Sequence, residues 1–436
     1  MLHKVKQLIR SLTPRFILSW YHLFLAYVAA FYYGQPSEKL IVIGVTGTNG
    51  KSTTVNLIAK ILEQAGNKVA LSSTVNFKIG NADELNNKKM TMPGRFFIQK
   101  MLSKAVSQGC TYAIIESSSE GILQHRHIGI HYDAMVFTNL TPEHLQAHNG
   151  FENYKKAKLT YFSNLEKLSH KMLHGKQVEK VIAINTDDQH ASDFGGYRVD
   201  KVVSYGTADV AQIKGSNLHV SPEGISFEVN GLKFNLNLKG KFDMYNALAA
   251  IALCSGYGIN LESAKSALEN ISVVPGRMET FHSNKGFTVI VDYAPEPESL
   301  RQLYATIESW PKNKIIHLLG STGGGRDVAR RKILGNIAGQ KADIVIVTNE
   351  DPYEDDPQQI IHDVADGAVE AGKVIKETLF RDPDRRSAIA KALSKAGSGD
   401  IVLITGKGSE QKMAVKGGYI PWDDREVVKQ ELAKLN

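Results

Sequence analysis

The stretch TGTNGKST, residues 46–53, sets a glycine-rich turn before a lysine and a hydroxyl pair. Glycines let backbone N–H groups approach phosphate oxygens closely, and a helix opening at Ser52 aims the positive end of its dipole at them. Lys51 is placed to bridge the β- and γ-phosphates and Ser52 to hold Mg2+, with Gly47, Thr48, Asn49, Gly50 and Thr53 completing the cradle. The usual spacing has glycine at position 45; here it is Val45, between Gly44 and Gly47. The pattern points to ATP or GTP and leaves open what the phosphate is used for. Three further side chains are candidate metal ligands. Glu116 ends the apolar run TYAIIE, His144 lies in NLTPEHLQAH, and Lys158 lies in ENYKKAKLTYF. Taken singly, His144 also suits a cap and Lys158 an ordinary surface lysine. An ammonium does not ligate Mg2+, but a carbamylated lysine is a carboxylate and does.

These residues need a sheet to hold them. LIVIGV (40–45), TYAIIE (111–116), DAMVFTNL (133–140) and KVIAINTDD (180–188) are continuous apolar runs, as in parallel strands buried on both faces. STTVNLIAKILEQAG sets Val55, Ile58, Ile61 and Leu62 on one helical face and stops at Gly66. Strand alternating with helix predicts an α/β fold, a doubly wound, mostly parallel sheet carrying the phosphate loop. Glu116 would stand at the carboxyl edge, where such sheets bind ligands. Between 200 and 240 short alternating strands predict a small β-appendage. VVPGRMETF (273–281) reads as a hinge, and the βα rhythm restarts in FTVIVDY, KIIHLLG, ADIVIVT and DIVLITG. The expected division is an apolar helical segment over 1–38, a central ATP-binding domain over 39–276 and a C-terminal Rossmann-like α/β domain over 277–436.

A chain of 436 residues with 42% hydrophobic and 22% charged residues fits two or three globular domains. The net charge of +7 favours an anionic partner, a nucleotide, nucleotide-sugar or membrane surface. No Arg/Lys-rich run interleaved with aromatics occurs, which argues against nucleic acid. Cys110 and Cys254 sit in apolar contexts and read as two core thiols of a reducing compartment, and there is no four-cysteine zinc pattern. Lys4, Lys6, Arg10 and Arg15 precede FILSWYHLFLAYVAAFYY (16–33), an uncharged helical run at the short end of what spans a bilayer. A span would put the phosphate loop outside, away from ATP. A helix packed on its own protein is expected first, and one lying at the inner membrane face second. The chain is expected in the cytoplasm, with membrane association open, as a monomer.

Eleven segments occur in the order found in Mur ligases, among them TGTNGKST, IESSSEGILQHR, FTNLTPEHLQAH, LKGKFDMYNALAA, VPGRME, VDYAPEPESL, GSTGGGRD, NEDPYEDDP and GKGSE. Over residues 40–430 the chain resembles this family, most closely the MurE type, which adds the third amino acid of the peptidoglycan peptide. The resemblance implies an ATP-dependent ligase. ATP phosphorylates a muramoyl-dipeptide carboxylate, and a free amino acid's amine then displaces phosphate to close an amide. It implies ATP, Mg2+ at two sites and a carbamylated Lys158. By resemblance Lys51 and Ser52 are the phosphate-loop lysine and metal-binding hydroxyl, and Glu116, His144 and Lys158 the metal residues. Asn246 matches an adenine contact, and Arg277 and Asp292 match nucleotide contacts. Thr91, Pro93, Ser118, Gln124 and Arg126 match residues holding the muramoyl-dipeptide. Arg326 and Glu410 match residues clasping the amino acid, with Asp351 and Gly406 on the same side.

The chain departs from the pattern in four places. Mur ligases carry an N-terminal domain of about a hundred residues for the UDP group, and here about forty apolar residues precede the loop, which suggests a weakly held UDP or a lipid-linked acceptor. The Asp-Asn-Pro-Arg signature for diaminopimelate reads Glu350-Asp351-Pro352-Tyr353. Without that arginine a bidentate grip on a second carboxylate is missing. The acidic run Glu350, Asp351, Glu354, Asp355 and Asp356 would instead suit a cationic side chain such as lysine, or be a solvated loop. Glu120, Pro295 and Ser409 replace histidines of the family. Folylpolyglutamate synthase has the same fold and no UDP domain, though its loop usually reads Gly-Lys-Gly-Ser. A MurT-like amidotransferase subunit also lacks that domain but usually carries a four-cysteine ribbon, and a non-catalytic scaffold on the Mur fold is a further alternative.

Overall fold

The structure, a computed structural model, describes residues 14–143, 145–325 and 327–435. His144 and Arg326, two of the predicted site residues, lie outside the described residues, as do Lys4, Lys6 and Arg10.

An eleven-stranded sheet is built around the strand Ile41–Thr46. Alternation along this strand sends Ile43 and Val45 into one apolar layer and Leu40 and Val42 into the other. Both faces are therefore covered, which is why the run is apolar throughout. One layer holds the helices Lys51–Gln64 and Lys241–Gly256, the other Arg95–Ser107 and Phe151–Lys167. Val55, Ile58, Ile61 and Leu62 are all fully buried in the first. Tyr112–Glu116 pairs in parallel on one side of Ile41–Thr46 and Ala134–Phe137 on the other. Beyond them lie Val69–Ser72 and Val181–Asn185, also parallel. The chain thus winds first to one side of the strand and then to the other. Loops leave the carboxyl edge in opposite directions, opening a crevice there.

The strands Lys201–Gly206, Ile213–Val220, Ile225–Val229 and Leu232–Leu236 make the expected β-appendage, which extends the same sheet and ends it in antiparallel pairs. At the other edge a hairpin, Asn76–Ile79 and Ala82–Leu85, closes the sheet. A second sheet of six strands begins at Glu279–His282 and is parallel after its first pair. A buried pair, Arg385 to Asp424 at 2.8 and 2.6 Å, fixes its last helix, Asp424–Ala433. Cys110 and Cys254 are buried and free.

The helix Arg15–Tyr32 lies on the central domain through small residues. Ala26, Ala29 and Ala30 are buried, and Gly129 approaches so closely that a Cβ there would meet the Cβ of Ala30 at 2.6 Å. Ser19 Oγ hydrogen-bonds His125 Nε2 at 2.7 Å. The segment that follows is held by Lys171, whose buried ammonium donates to the carbonyls of Ser37, Leu40 and His131 and to Asp133 Oδ2 at 2.5–2.8 Å. No helix among the described residues is long and apolar enough to cross a membrane.

Candidate active site

The phosphate loop is shaped by close approach. Gly47 and Gly50 have φ of +151° and +83°, and a Cβ on them would meet Thr138 Oγ1 at 1.9 Å and Asn246 Oδ1 at 2.2 Å. Asn139 Oδ1 accepts from Asn49 N at 2.9 Å, and Thr138 Oγ1 donates to Asn49 O at 2.8 Å. Thr48 Oγ1 bonds the Tyr154 hydroxyl at 3.1 Å and donates to Thr141 O at 3.2 Å. Lys51 curls back over the loop, its Nζ donating to Gly47 O at 3.1 Å and Thr48 O at 2.5 Å. Thr53, the third residue of the helix Lys51–Gln64, is buried.

Register places Glu116 opposite Val45, directly beside the loop. Ser52 Oγ donates to Glu116 Oε2 at 2.9 Å. Thr74 gives its N–H to Oε2 at 2.6 Å and its hydroxyl to Oε1 at 3.0 Å. A hydroxyl and a carboxylate are hard oxygen donors of the kind Mg2+ takes, so the pair fits the metal that the phosphate loop implies. Lys158 is the third element. It is 2% exposed, its Nζ donates to Gly47 O at 2.6 Å, and it stands 4.5 Å from the centre of the Tyr154 ring. Burial, with the nearby charge of Lys51, holds its pKa well below the ordinary lysine value, against the weaker pull of Glu143 and Glu116. That favours a neutral amine, the form that can take up CO2.

Asn246 sits under the loop rather than out in the crevice. Its Nδ2 donates to Asp243 Oδ1 at 3.0 Å and its Oδ1 accepts from Thr54 Oγ1 at 3.4 Å. Arg277 comes from the segment that joins the two sheets; its Nη2 is 3.4 Å from Ser52 Oγ, and its guanidinium lies 4.7 Å from the centre of the Tyr293 ring. Asp292 holds the backbone of that segment, accepting from Met278 N at 2.7 Å and Ala294 N at 2.9 Å. Burial raises its pKa, opposed by Arg277.

The acceptor candidates meet on one side of Glu116. Thr91 Oγ1 lies 2.9 Å from Thr74 Oγ1, at hydrogen-bond distance, Pro93 is buried, and Arg126 is pinned between them on the carbonyl of Met92. Arg126 also donates to Gln124 Oε1 at 2.6 Å, and Ser118 caps the helix Ser119–Leu123. The amino-acid candidates meet in the second domain. Lys407 Nζ donates to Asp351 at 3.0 and 2.9 Å and to Glu410 Oε2 at 2.5 Å. Gly406, at φ +105°, leaves room for Glu350, whose Oε2 a Cβ would meet at 2.2 Å.

Each carboxylate of the acidic run has a partner, although Glu354 and Asp356 are exposed. Glu350 accepts from Thr322 Oγ1, Glu354 from Gly417 N, Asp355 from Arg331, and Asp356 caps the helix Pro357–Glu370. Asp351 accepts from Lys407, Lys89 and Ala414 N. Asp351 and Glu410 share the ammonium groups of Lys407 and Lys89.

Thr74, Thr138, Asn139, Tyr154, Lys89 and Lys407 escaped the sequence reading. Thr138 and Asn139 stand just after a strand's carboxyl end, a position that could have flagged them. The others carry no local signal.

Two family models match the chain: the Mur ligase middle domain over residues 45–254 and the Mur ligase glutamate ligase domain over residues 276–408. The chain belongs to the Mur ligase family. It is an ATP-dependent ligase, and relatives in this family use ATP and Mg2+ in peptidoglycan precursor synthesis. It is 36% identical to the UDP-N-acetylmuramyl-tripeptide synthetase of Roseiflexus sp. (strain RS-1), covering 94% of this chain and 82% of that relative. It is 35% identical to the UDP-N-acetylmuramoyl-L-alanyl-D-glutamate–2,6-diaminopimelate ligase of Geobacillus thermodenitrificans (strain NG80-2), covering 93% and 81%. A solved structure of a ligase of that name superposes with TM-score 0.60 at 28% identity, over 91% of this chain and 79% of the other. The Mycobacterium tuberculosis folylpolyglutamate synthase shares the fold, with TM-score 0.68 at 15% identity over 95% and 94%.

Proposed function

We propose that this Mur ligase adds a free amino acid to the terminal carboxylate of a muramoyl-dipeptide-type acceptor through an acyl phosphate. The observation that carries this reading is the meeting of Ser52, Glu116, Lys158 and Arg277 at the carboxyl edge beside the phosphate loop. The acceptor's carboxylate oxygen attacks the γ-phosphorus and ADP leaves. The amine's lone pair then attacks the acyl carbon, the C–O bond to phosphate breaks, and the amine gives up a proton. A carboxylate is a poor electrophile, so phosphorylation supplies the leaving group, and the protein's part is positioning and charge neutralisation.

Each group has a role in this scheme. Lys51 and the loop amides of Gly47–Thr53 hold the phosphates, while Asn246 stiffens the loop near adenine. Arg277 brings positive charge across from the hinge, and Asp292 fixes the hinge that carries it. Ser52, Glu116, a carbamylated Lys158 and His144 would hold Mg2+ at two sites, which supplies charge neutralisation at the transferred phosphoryl. Thr91, Pro93, Ser118, Gln124 and Arg126 orient the acceptor; Asp351, Gly406, Glu410 and Arg326 receive the amino acid. We divide the chain at residue 276 into a central nucleotide-and-acceptor domain and a C-terminal amino-acid domain. The protein works as a cytoplasmic monomer, with the helix Arg15–Tyr32 resting on the inner membrane face.

The test is phosphate release from ATP with UDP-MurNAc-L-Ala-D-Glu and a panel of amino acids, the products weighed by mass spectrometry. Turnover with one amino acid, abolished in Lys158→Ala, is expected. No release with any of them, from protein that still binds ATP, would move the acceptor to a lipid-linked or non-muramoyl compound. Full activity in Lys158→Ala would sink the metal assignment.

A further inference from the structure

One side chain of the central domain enters the amino-acid side of the other. Lys89 Nζ lies 2.5 Å from Asp351 Oδ2 and 3.0 Å from Glu410 Oε2. Lys407 holds the same two carboxylates from within the C-terminal domain. The group is nearly sealed: the side chains of Lys89 and Asp351 are 5% exposed, that of Glu410 14% and that of Lys407 0%. Two ammonium groups and two carboxylates cancel. Without Lys89, Asp351 and Glu410 would share one ammonium and leave one uncompensated negative charge in a buried place, which is strongly unfavourable. The vacancy has the charge and size of an ammonium group.

The backbone shows that this placement is held against a local preference. Lys89 has φ +51°, in the left-handed region that a side chain with Cβ rarely adopts. Its loop is anchored to the central domain by Asn86, whose Nδ2 donates to Ser73 O at 2.7 Å and Met90 O at 3.0 Å. Two residues on, Thr91 reaches Glu116 through Thr74. One short loop therefore touches the acceptor and metal side with its backbone and the amine side with its lysine.

We propose that Lys89 is a built-in substitute for the ammonium of the incoming amino acid: it latches the two domains together when that substrate is absent, and the substrate's amine displaces it from Asp351 and Glu410. The inference rests on the reading of Glu410 and Asp351 as the amine-receiving pair. A latch of this kind lowers the apparent affinity for the amino acid by the fraction of molecules in which the position is already filled. It also couples arrival of the amine to movement of the loop that carries Thr91 and Pro93.

The test compares wild type with Lys89→Met and Lys89→Arg in two measurements. The first is small-angle scattering of the full chain without amino acid. Wild type and Lys89→Arg should be compact and Lys89→Met expanded; equal dimensions in all three would overturn the latch. This arm stands whatever the acceptor proves to be. The second is the amino-acid KM with ATP and acceptor saturating. In Lys89→Met it should fall by about five- to ten-fold with kcat held within about two-fold, as expected when a competing internal group is removed. An unchanged or higher KM would show a structural or substrate-binding lysine and overturn the proposal. Absence of turnover in every protein would count against the ligase reading, and scattering would still decide the latch. If Lys89→Met does not fold, Lys89→Gln carries the same comparison.

Discussion

Lys158 shows how far a residue's chemistry depends on what surrounds it. In sequence it is one of three lysines in ENYKKAKLTYF, facing the same choices as its neighbours. In the fold it is the one of them that is fully enclosed, with Lys51 near enough to disfavour its charge. Carbamylation needs the neutral amine: the nitrogen lone pair bonds to the carbon of CO2, and a proton leaves the nitrogen. An ordinary lysine, near pKa 10.4, gains neutral amine about ten-fold per pH unit between pH 7 and 9. With its pKa held below that value, Lys158 carries more neutral amine at a given pH than a solvated lysine does. We therefore predict that activity lost in CO2-depleted buffer returns with bicarbonate. Forming the carbamate releases a proton, so the dissolved CO2 needed for half-recovery should fall about ten-fold per pH unit where the amine is already neutral, and about a hundred-fold per unit where an ammonium must first lose its own proton. The steeper dependence from pH 7 to 9 would mean a solvated lysine. Activity indifferent to CO2 depletion would mean that the amine itself is the working form. Thr74 and Lys89 were hidden in sequence for the reason that makes Lys158 ambiguous. Their partners, Glu116 and the Asp351–Glu410 pair, lie 42 and more than 250 residues away.

Among the elements, the phosphate loop and the strands around it were legible because both signals are local. A parallel strand buried on two faces must be apolar at every position, and a glycine turn before a helix must look like one. The strand Val69–Ser72 and the hairpin 76–85 were not anticipated. The first is four residues long, and the second is partly exposed and carries Asn, Lys, Asp and Glu, so neither shows a period. The sequence of the first helix suits a packed or an interfacial helix, and in the fold one side of it is docked while the other is exposed. Alanines dock it, while Trp20, Phe24, Tyr27 and Phe31 recur at helical spacing on the outside, 70%, 64%, 60% and 82% exposed. No acidic residue precedes Glu38, whereas Lys4, Lys6, Arg10 and Arg15 do. An aromatic stripe flanked by uncompensated positive charge suits an anionic lipid surface. We predict co-sedimentation with vesicles containing phosphatidylglycerol, weaker with neutral vesicles. Replacing Trp20, Phe24 and Phe31 by serine should reduce binding by about ten-fold or more, since each loses a large apolar side chain from the contact. Equal partitioning of the triple variant, or none by the wild type, would remove lipid as the occupant of this face.

For the whole molecule we predict that the segment around Gly276 acts as the hinge. Gly276 has φ +65°, and a Cβ on it would lie 2.1 Å from Ser409 N and 2.4 Å from the carbonyl carbon of Gly408. Those two residues belong to the loop that carries Lys407 and Glu410. The next residue is Arg277, which reaches Ser52, and the one after is Met278, at φ +44° and tied to Asp292. Three consecutive residues thus link Ser52 of the phosphate loop to the loop that carries Lys407 and Glu410. In Gly276→Ala the methyl group meets backbone, which cannot rotate away as a flexible side chain would, and alanine is also disfavoured at positive φ. The two costs together are about 2–3 kcal/mol. Gly66, at φ +84° with nothing within 4 Å of its would-be Cβ, provides the control, because Gly66→Ala bears only the backbone cost, about 1 kcal/mol. Urea denaturation should separate the two variants by that difference. Function should separate them further. Displacing the 406–410 loop by an ångström moves Arg277 and Glu410 relative to the phosphates, and misplacement on that scale is worth about a hundred-fold in rate. Gly276→Ala should lose turnover and be expanded in small-angle scattering, while Gly66→Ala keeps turnover and the compact form. If Gly276→Ala is as stable and as active as Gly66→Ala, the domains do not close through this contact, and the hinge must be sought elsewhere between Ile271 and Glu279.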